Sequence, residues 1–167
     1  MSAKTGVAGA AYTPTLRFED VSVGDALPEL ALPLTRTLIV STAIASRDYQ
    51  DVHHDSVLAA ERGSKDIFMN ILSTNGIVGR YVTDWAGPGT VITDVNIRLG
   101  APNYPDDTMR LTGSVTAKDE SVAEDGRGAV EVTVRGANSL GDHVTGTVRL
   151  LLPSDPSGPA GADGAAR

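Results

Sequence analysis

The chain has 167 residues, 41% of them hydrophobic and 21% charged, a composition that gives one globular domain a core of its own and excludes a disordered chain. Its formal net charge of −7, with only 14 Lys and Arg spread along the whole length, excludes a basic nucleic-acid-binding face. The absence of Cys excludes disulfides, thiolate metal sites and a cysteine nucleophile. Met1–Ala11 lacks the apolar run of a signal peptide, and no stretch approaches the roughly 20 apolar residues that span a bilayer, so a cytoplasmic protein is expected.

Residues 1–14 are rich in small side chains and are expected to be flexible. Residues 15–153 carry the patterning of a single domain, and 154–167, made of Gly, Pro, Ala and Ser with little to bury, is expected to be a disordered tail. Gly24-Asp25 marks a turn ahead of a strand around Leu30 to Thr37. Thr35 or Thr37 can cap the next helix, whose apolar segment Leu38 to Ala45 ends at Arg47 or Asp48. A polar connection leads to a short helix that Gly63 stops. The longest helical pattern runs from Asn70 to Trp85, with Ile71, Val78, Val82 and Trp85 on one stripe and Leu72, Gly76, Gly79 and Thr83 on the adjoining one. A helical Gly costs about 1 kcal/mol relative to Ala, so Gly76 and Gly79 imply close approach to another backbone. Gly87-Pro88-Gly89 ends this helix, and the period then changes to two. Val91 to Leu99, Met109 to Ala117, Val130 to Val134 and Val144 to Leu152 alternate as strands, read as a four-stranded meander. One strand, a long helix and four strands predict an α+β fold, an antiparallel sheet with the helix on one face.

The chemistry-bearing stretch is Ala45-Ser46-Arg47-Asp48-Tyr49-Gln50-Asp51-Val52-His53-His54-Asp55. It sets a carboxylate five residues before an imidazole, on an irregular connection held by helices at both ends. His is the side chain whose proton affinity lies nearest neutral pH, and an Asp beside it can orient it or share the proton transfer, so the pair can activate a water. The spacing alone decides little, because Asp and His on polar loops are ordinarily turn formers or solvated groups. A metal site at His53, His54 and Asp55 is set aside: adjacent histidines diverge and no third spaced ligand follows. His143, at a strand start, reads as a surface residue, and Phe68 and Met69 read as pocket wall or core.

The same stretch resembles the signature of MaoC-like enoyl-CoA hydratases, roughly Ala-Ser-Gly-Asp-x-Asn-Pro-Ile-His-x-Asp. Ala45, Ser46, Asp48, His53 and Asp55 match, and Val52 nearly so. Arg47 stands for Gly, Gln50 for Asn and Asp51 for Pro. The resemblance covers about residues 16–152 and implies a hotdog fold, an antiparallel sheet wrapped around one long central helix. It implies that Asp48 and His53 are the catalytic pair, that Ser46 and Gln50 support the site, and that the backbone N–H of Asn70 serves as oxyanion donor where the family has Gly. Asn70 also reads as a helix cap, and the two roles are compatible.

The implied reaction adds water across the 2,3 double bond of a 2-enoyl-CoA, with the thioester as substrate and no cofactor or metal. Arg47, Lys65, Arg80 and Arg98 are candidates for the CoA phosphates, each with a solvated surface role as its ordinary reading. The longer string Arg47 to Asp55, with Lys65-Asp66-Ile67-Phe68-Met69-Asn70-Ile71-Leu72 and Tyr81 to Gly87, is similar to small MaoC-like subunits of actinobacterial hydratases that act on the shortened steroid side chain in cholesterol degradation. That similarity implies a steroid-bearing acyl group and a heteromer with a second MaoC-like hotdog subunit, heterodimer or heterotetramer, which can link to an aldolase. Two alternatives are a hotdog thioesterase, for which the long helix offers only Asp84, and a non-catalytic acyl-CoA-binding scaffold.

Overall fold

The computed structural model describes residues 14–123 and 126–155. The expected flexible 1–14 and disordered 154–167 therefore lie outside the described residues, except for Pro14, Ser154 and Asp155. The side chains of Ser154 and Asp155 reach back to Glu19 at 2.5 Å and Arg17 at 3.1 Å.

Strand β1, Ala26–Leu34, lies at a sheet edge, where Pro28 and Pro33 deprive no neighbouring strand of a donor. Thr35, not Thr37, caps helix α1, Arg36–Ala45, its hydroxyl accepting from the Leu38 N–H at 3.0 Å. The strand thus ends earlier than the apolar pattern suggests, because Arg36 and Thr37 already belong to the first helical turn. After a 3-10 turn at Asp51–His53 come the short helix α2, Ser56–Glu61, and the long helix α3, Ile71–Ala86. Gly87 stops α3 at φ 90°, where a Cβ would also fall 2.4 Å from the Cα of Thr15.

Four further strands follow: β2 Val91–Leu99, β3 Asp107–Ala123, β4 Arg127–Asn138 and β5 Gly141–Pro153. All pairs are antiparallel, in the order β1-β3-β4-β5-β2. The expected four-strand meander is corrected here: only β3, β4 and β5 follow one another, and β2 pairs with β5. Alternation identifies a strand but does not choose its neighbour. Residues 100–106 can extend to about 23 Å, which exceeds the roughly 14 Å across two intervening strands. This connection passes over the β4–β5 hairpin, where Asn138 donates to Pro102 O and Asn103 Oδ1, each at 2.9 Å.

The sheet curls around α3 as a hotdog. Val78, Tyr81 and Val82 join Leu111, Val115, Val132, Val148 and Leu150 in one buried cluster. Two expectations about α3 are corrected. Its buried face is Ser73, Thr74, Val78, Tyr81, Val82 and Ala86, whereas Ile71 and Leu72 are 54% and 50% exposed. Nor do its glycines admit a backbone: a Cβ on Gly76 would meet nothing within 4 Å, and one on Gly79 only the Ile92 side chain at 3.6 Å.

Candidate active site

The site begins where α1 ends. Ser46 is the C-cap, Arg47 follows in the left-handed region at φ 58°, and two main-chain bonds close the turn. Arg47 N–H donates to Ile44 O at 3.0 Å and Asp48 N–H to Ala43 O at 2.9 Å, the pairing of a Schellman turn. Gly is usual at such a position, because a Cβ in left-handed backbone costs about 1–2 kcal/mol. The turn anchors the main chain of Asp48 to Ala43, which is wholly buried.

The connection beyond Asp48 is fixed at several points. Arg62, the C-cap of α2, pairs with Asp51 at 2.6 Å, and Asp55 is the N-cap, accepting from the Val57 and Leu58 N–H groups at 2.9 and 3.0 Å. Asp55 is thus occupied as a cap, and His54 points to solvent. Among the described residues no group of three or more His, Cys, Asp or Glu is placed to hold a metal ion.

His53 is buried, and its Nδ1 lies 2.7 Å from the carbonyl oxygen of Phe68. A carbonyl only accepts, so Nδ1 carries a proton in this contact, and in the neutral form of the ring the lone pair is at Nε2. The Phe68 N–H bonds to Val52 O at 3.0 Å, and the Phe68 ring meets the imidazole edge-on with centroids 4.9 Å apart, so ring and strap fix each other. Asp48 Oδ2 stands 3.4 Å from Nε2, with side-chain exposures of 17% for Asp48 and 7% for His53. In that neutral form the carboxylate and the Nε2 lone pair do not bond to each other. Side by side, the two acceptors can take both hydrogens of one water.

Asn70 secures the carboxylate. Its Nδ2 donates to Asp48 Oδ2 and Ser46 Oγ, both at 3.0 Å, while its Oδ1 accepts from the Ser73 N–H at 2.8 Å and from the Ser73 hydroxyl. One buried carboxamide therefore caps α3 and ties the cap to the end of α1. The Asn70 amide is the largest of the influences that hold the Asp48 carboxyl below its ordinary range; burial opposes it, and the Gln50 N–H at 3.3 Å and the nearby His53 assist. Ser46 supports Asn70 as acceptor and donates to Thr42 O at 2.8 Å. Gln50 supports Asp48 through its backbone N–H, its side chain being exposed.

Asp48, His53, Gln50 and Asn70 line a cavity of about 360 Å3, together with Phe68, Met69, Ile71 and Leu99 to Pro102. The first turn of α3 opens onto it, and the backbone N–H groups of such a turn have no partner within the helix. His143 also lines this cavity, which corrects the surface reading: it is 2% exposed. Its Nδ1–H donates to Ala101 O at 2.7 Å and its Nε2 accepts from Thr74 Oγ1 at 2.8 Å. Burial pushes its pKa down, against the Ala101 bond, so it is kept neutral. Strand alternation placed His143 correctly in β5 but could not reveal that the 100–106 connection and α3 close over it. The Asn70 carboxamide link was missed in the same way, since it spans two helices; the Asn before a helical run signalled only the cap.

No family model matches the sequence. The chain is 54% identical over 130 residues to the 3-oxo-4,17-pregnadiene-20-carboxyl-CoA hydratase beta subunit of Mycobacterium tuberculosis, over 78% of this chain and 95% of that one. A chain in the crystal structure of the ChsH1–ChsH2 complex from the same organism superposes with a TM-score of 0.71 at 53% identity, covering 78% of this chain and 98% of that one. The R-hydratase PhaJ1 of Pseudomonas aeruginosa superposes with a TM-score of 0.74 over 90% of this chain and 97% of its own, and at 19% identity that likeness shows a shared fold.

Proposed function

The chain belongs to the MaoC-like hotdog hydratases, in the branch of the steroid-acyl-CoA hydratase beta subunit, and on that footing we propose that it adds water to a 2-enoyl-CoA at Asp48 and His53. The observation that carries this reading is the convergence of Asp48 Oδ2 and His53 Nε2, 3.4 Å apart, on the lining of the cavity.

A water donating to both acceptors is oriented with its oxygen lone pair toward C3 of an enoyl group in the cavity. As the C3–O bond forms, one member of the pair takes the water proton. The π electrons move toward the thioester, and the pair returns one proton to C2. Both groups end as they began, and the product is a 3-hydroxyacyl-CoA. Negative charge collects on the thioester oxygen during the step, and the Asn70 N–H and the first turn of α3 supply donors and a favourable field for it. Every participating group belongs to the chain or the substrate.

The relative's name describes a hydratase of a steroid-bearing CoA thioester, and we assign this chain the same substrate class. A second hotdog subunit fits the fold. Strand β2 is a sheet edge, and the main-chain groups on its outer side, which face no strand of the sheet, are what a paired strand covers. The thioesterase reading fares poorly. Asp84 is ion-paired with Arg80 at 3.1 Å and stands about 20 Å along α3 from Asn70.

The test is turnover of a short linear and a steroid-bearing enoyl-CoA in 18O-labelled water. Hydration places one 18O at C3 and leaves the thioester intact. Release of free CoA with label in a carboxylate would replace this reading with hydrolysis.

A further inference from the structure

We propose that His143 is a positioning residue, one that holds the first turn of α3 where the reaction needs it by tying Thr74 to the connection that closes the cavity. This deepens the hydratase reading and rests on it. The strand itself is bent to supply the ring. In the pairing of β5 with β4, Val144 stands opposite Gly136 and Asp142 opposite Ala137, so His143 is the extra residue of a bulge. Neighbours along a regular strand face opposite sides, whereas His143 and Val144 are both buried, 2% and 1% exposed. A bulge re-aims a side chain, and this one puts an imidazole into the lining that Asp48 and His53 share. An apolar side chain would fill the same space without the cost of burying two polar nitrogens, so what the imidazole adds is its directed bonds.

Those bonds run one way. Ala101 O can only accept, so Nδ1–H donates to it at 2.7 Å, and Nε2 is left to accept from the Thr74 hydroxyl at 2.8 Å. Burial disfavours a second proton on the ring, which would take that lone pair away. The Gly100 N–H donates to His143 O at 2.8 Å, so the connection is held by both the main chain and the ring. Thr74 is wholly buried, and its N–H donates to Asn70 O at 3.2 Å, the bond that closes the first turn of α3. The bonds therefore run from Ala101 through His143 and Thr74 to Asn70, whose carboxamide holds Asp48 and whose N–H serves the thioester oxygen in the proposed reaction. Without the ring, the Thr74 hydroxyl is free to turn to Asn70 O at 3.3 Å and compete for the carbonyl that closes the turn. A shift of this turn moves the donors that receive charge in the transition state, which is a loss in kcat rather than in substrate binding.

Hydration of an enoyl-CoA tests this in the full chain, alone and with the proposed second hotdog subunit, for wild type, Thr74→Val, Thr74→Ser, His143→Asn and the double variant Thr74→Val with His143→Asn. Val keeps the branched shape of Thr without the hydroxyl, Ser keeps the hydroxyl, and Asn keeps a donor for Ala101 but is too short to reach Thr74. Rates are compared well below the melting temperature of each variant. The expected result is a kcat about tenfold lower in Thr74→Val with KM within about twofold, most of the rate regained in Thr74→Ser, and a double variant no slower than the worse single one. If Thr74→Val does not fold, His143→Asn carries the comparison of kcat with KM. A lower melting temperature with wild-type kcat would overturn the assignment and leave His143 as a residue that only holds the fold, and so would a double variant whose losses multiply. Wild-type hydration that Thr74→Val leaves unchanged sinks this inference alone, whereas a wild type that releases CoA without hydrating sinks the hydratase reading with it.

Discussion

Asn70 joins three functions in one carboxamide: it caps α3, holds Ser46, and donates to the Asp48 carboxylate. Asn70→Ser separates them, because Ser keeps a capping oxygen and loses the amide donor. The expected outcome is a kcat lower by about ten- to a hundredfold with KM little changed, as for an interaction that serves the transition state. The acidic limb of the rate profile should also move. Asp48 is held ionised below its usual range chiefly by Asn70, so removing the donor raises its pKa and activity fails at a higher pH than in wild type. His143 provides a second pH-dependent prediction, read as stability. It is neutral in the fold with a pKa below its ordinary 6.5, so the unfolded chain binds the proton first. Its contribution is present above the ordinary His value and is lost as the pH falls below it. Denaturant midpoints at about pH 7.5 and about pH 5.5 should therefore differ more in wild type than in His143→Gln.

At the scale of elements, the ends were more legible than the faces. Thr35, Asn70 and Gly87 act through local main-chain chemistry, and their neighbours in the chain suffice to identify them. The buried face of α3 depends on which strands lie beside it, so Ile71 and Leu72 each joined an apolar stripe by spacing, although Ile71 lines the cavity and both are half-exposed, while Val78 and Val82 are buried. The turn from α1 into Asp48 offers a direct check. Arg47→Gly removes left-handed strain and adds freedom to the unfolded chain, for a net gain of up to about 1 kcal/mol in thermal or denaturant unfolding. Gly87→Ala should act in the opposite sense and lose more than about 1 kcal/mol, since it adds both strain at φ 90° and a clash with Thr15.

At the scale of the molecule, the strand count and the long helix followed from hydrophobic period, whereas the place of β2 did not, because the connection through residues 100–106 is long enough to cross the sheet end. That crossing also builds the cavity: it brings Ala101 to His143, Asn103 O to the Met69 N–H at 3.0 Å, and Gly100 to Pro102 into the lining that Asp48 shares. The Asp48–His53 pair was visible as a sequence motif; its enclosure was not. No helix of the described residues is long and apolar enough to cross a membrane. Hydration at Asp48 and His53 is tested most directly by the loss of enoyl-thioester absorbance in the full chain, alone and with the proposed second hotdog subunit, for wild type and Asp48→Asn. Turnover should fall by at least about a hundredfold in Asp48→Asn while its melting temperature is retained. Undiminished turnover in Asp48→Asn would contradict hydration at this pair.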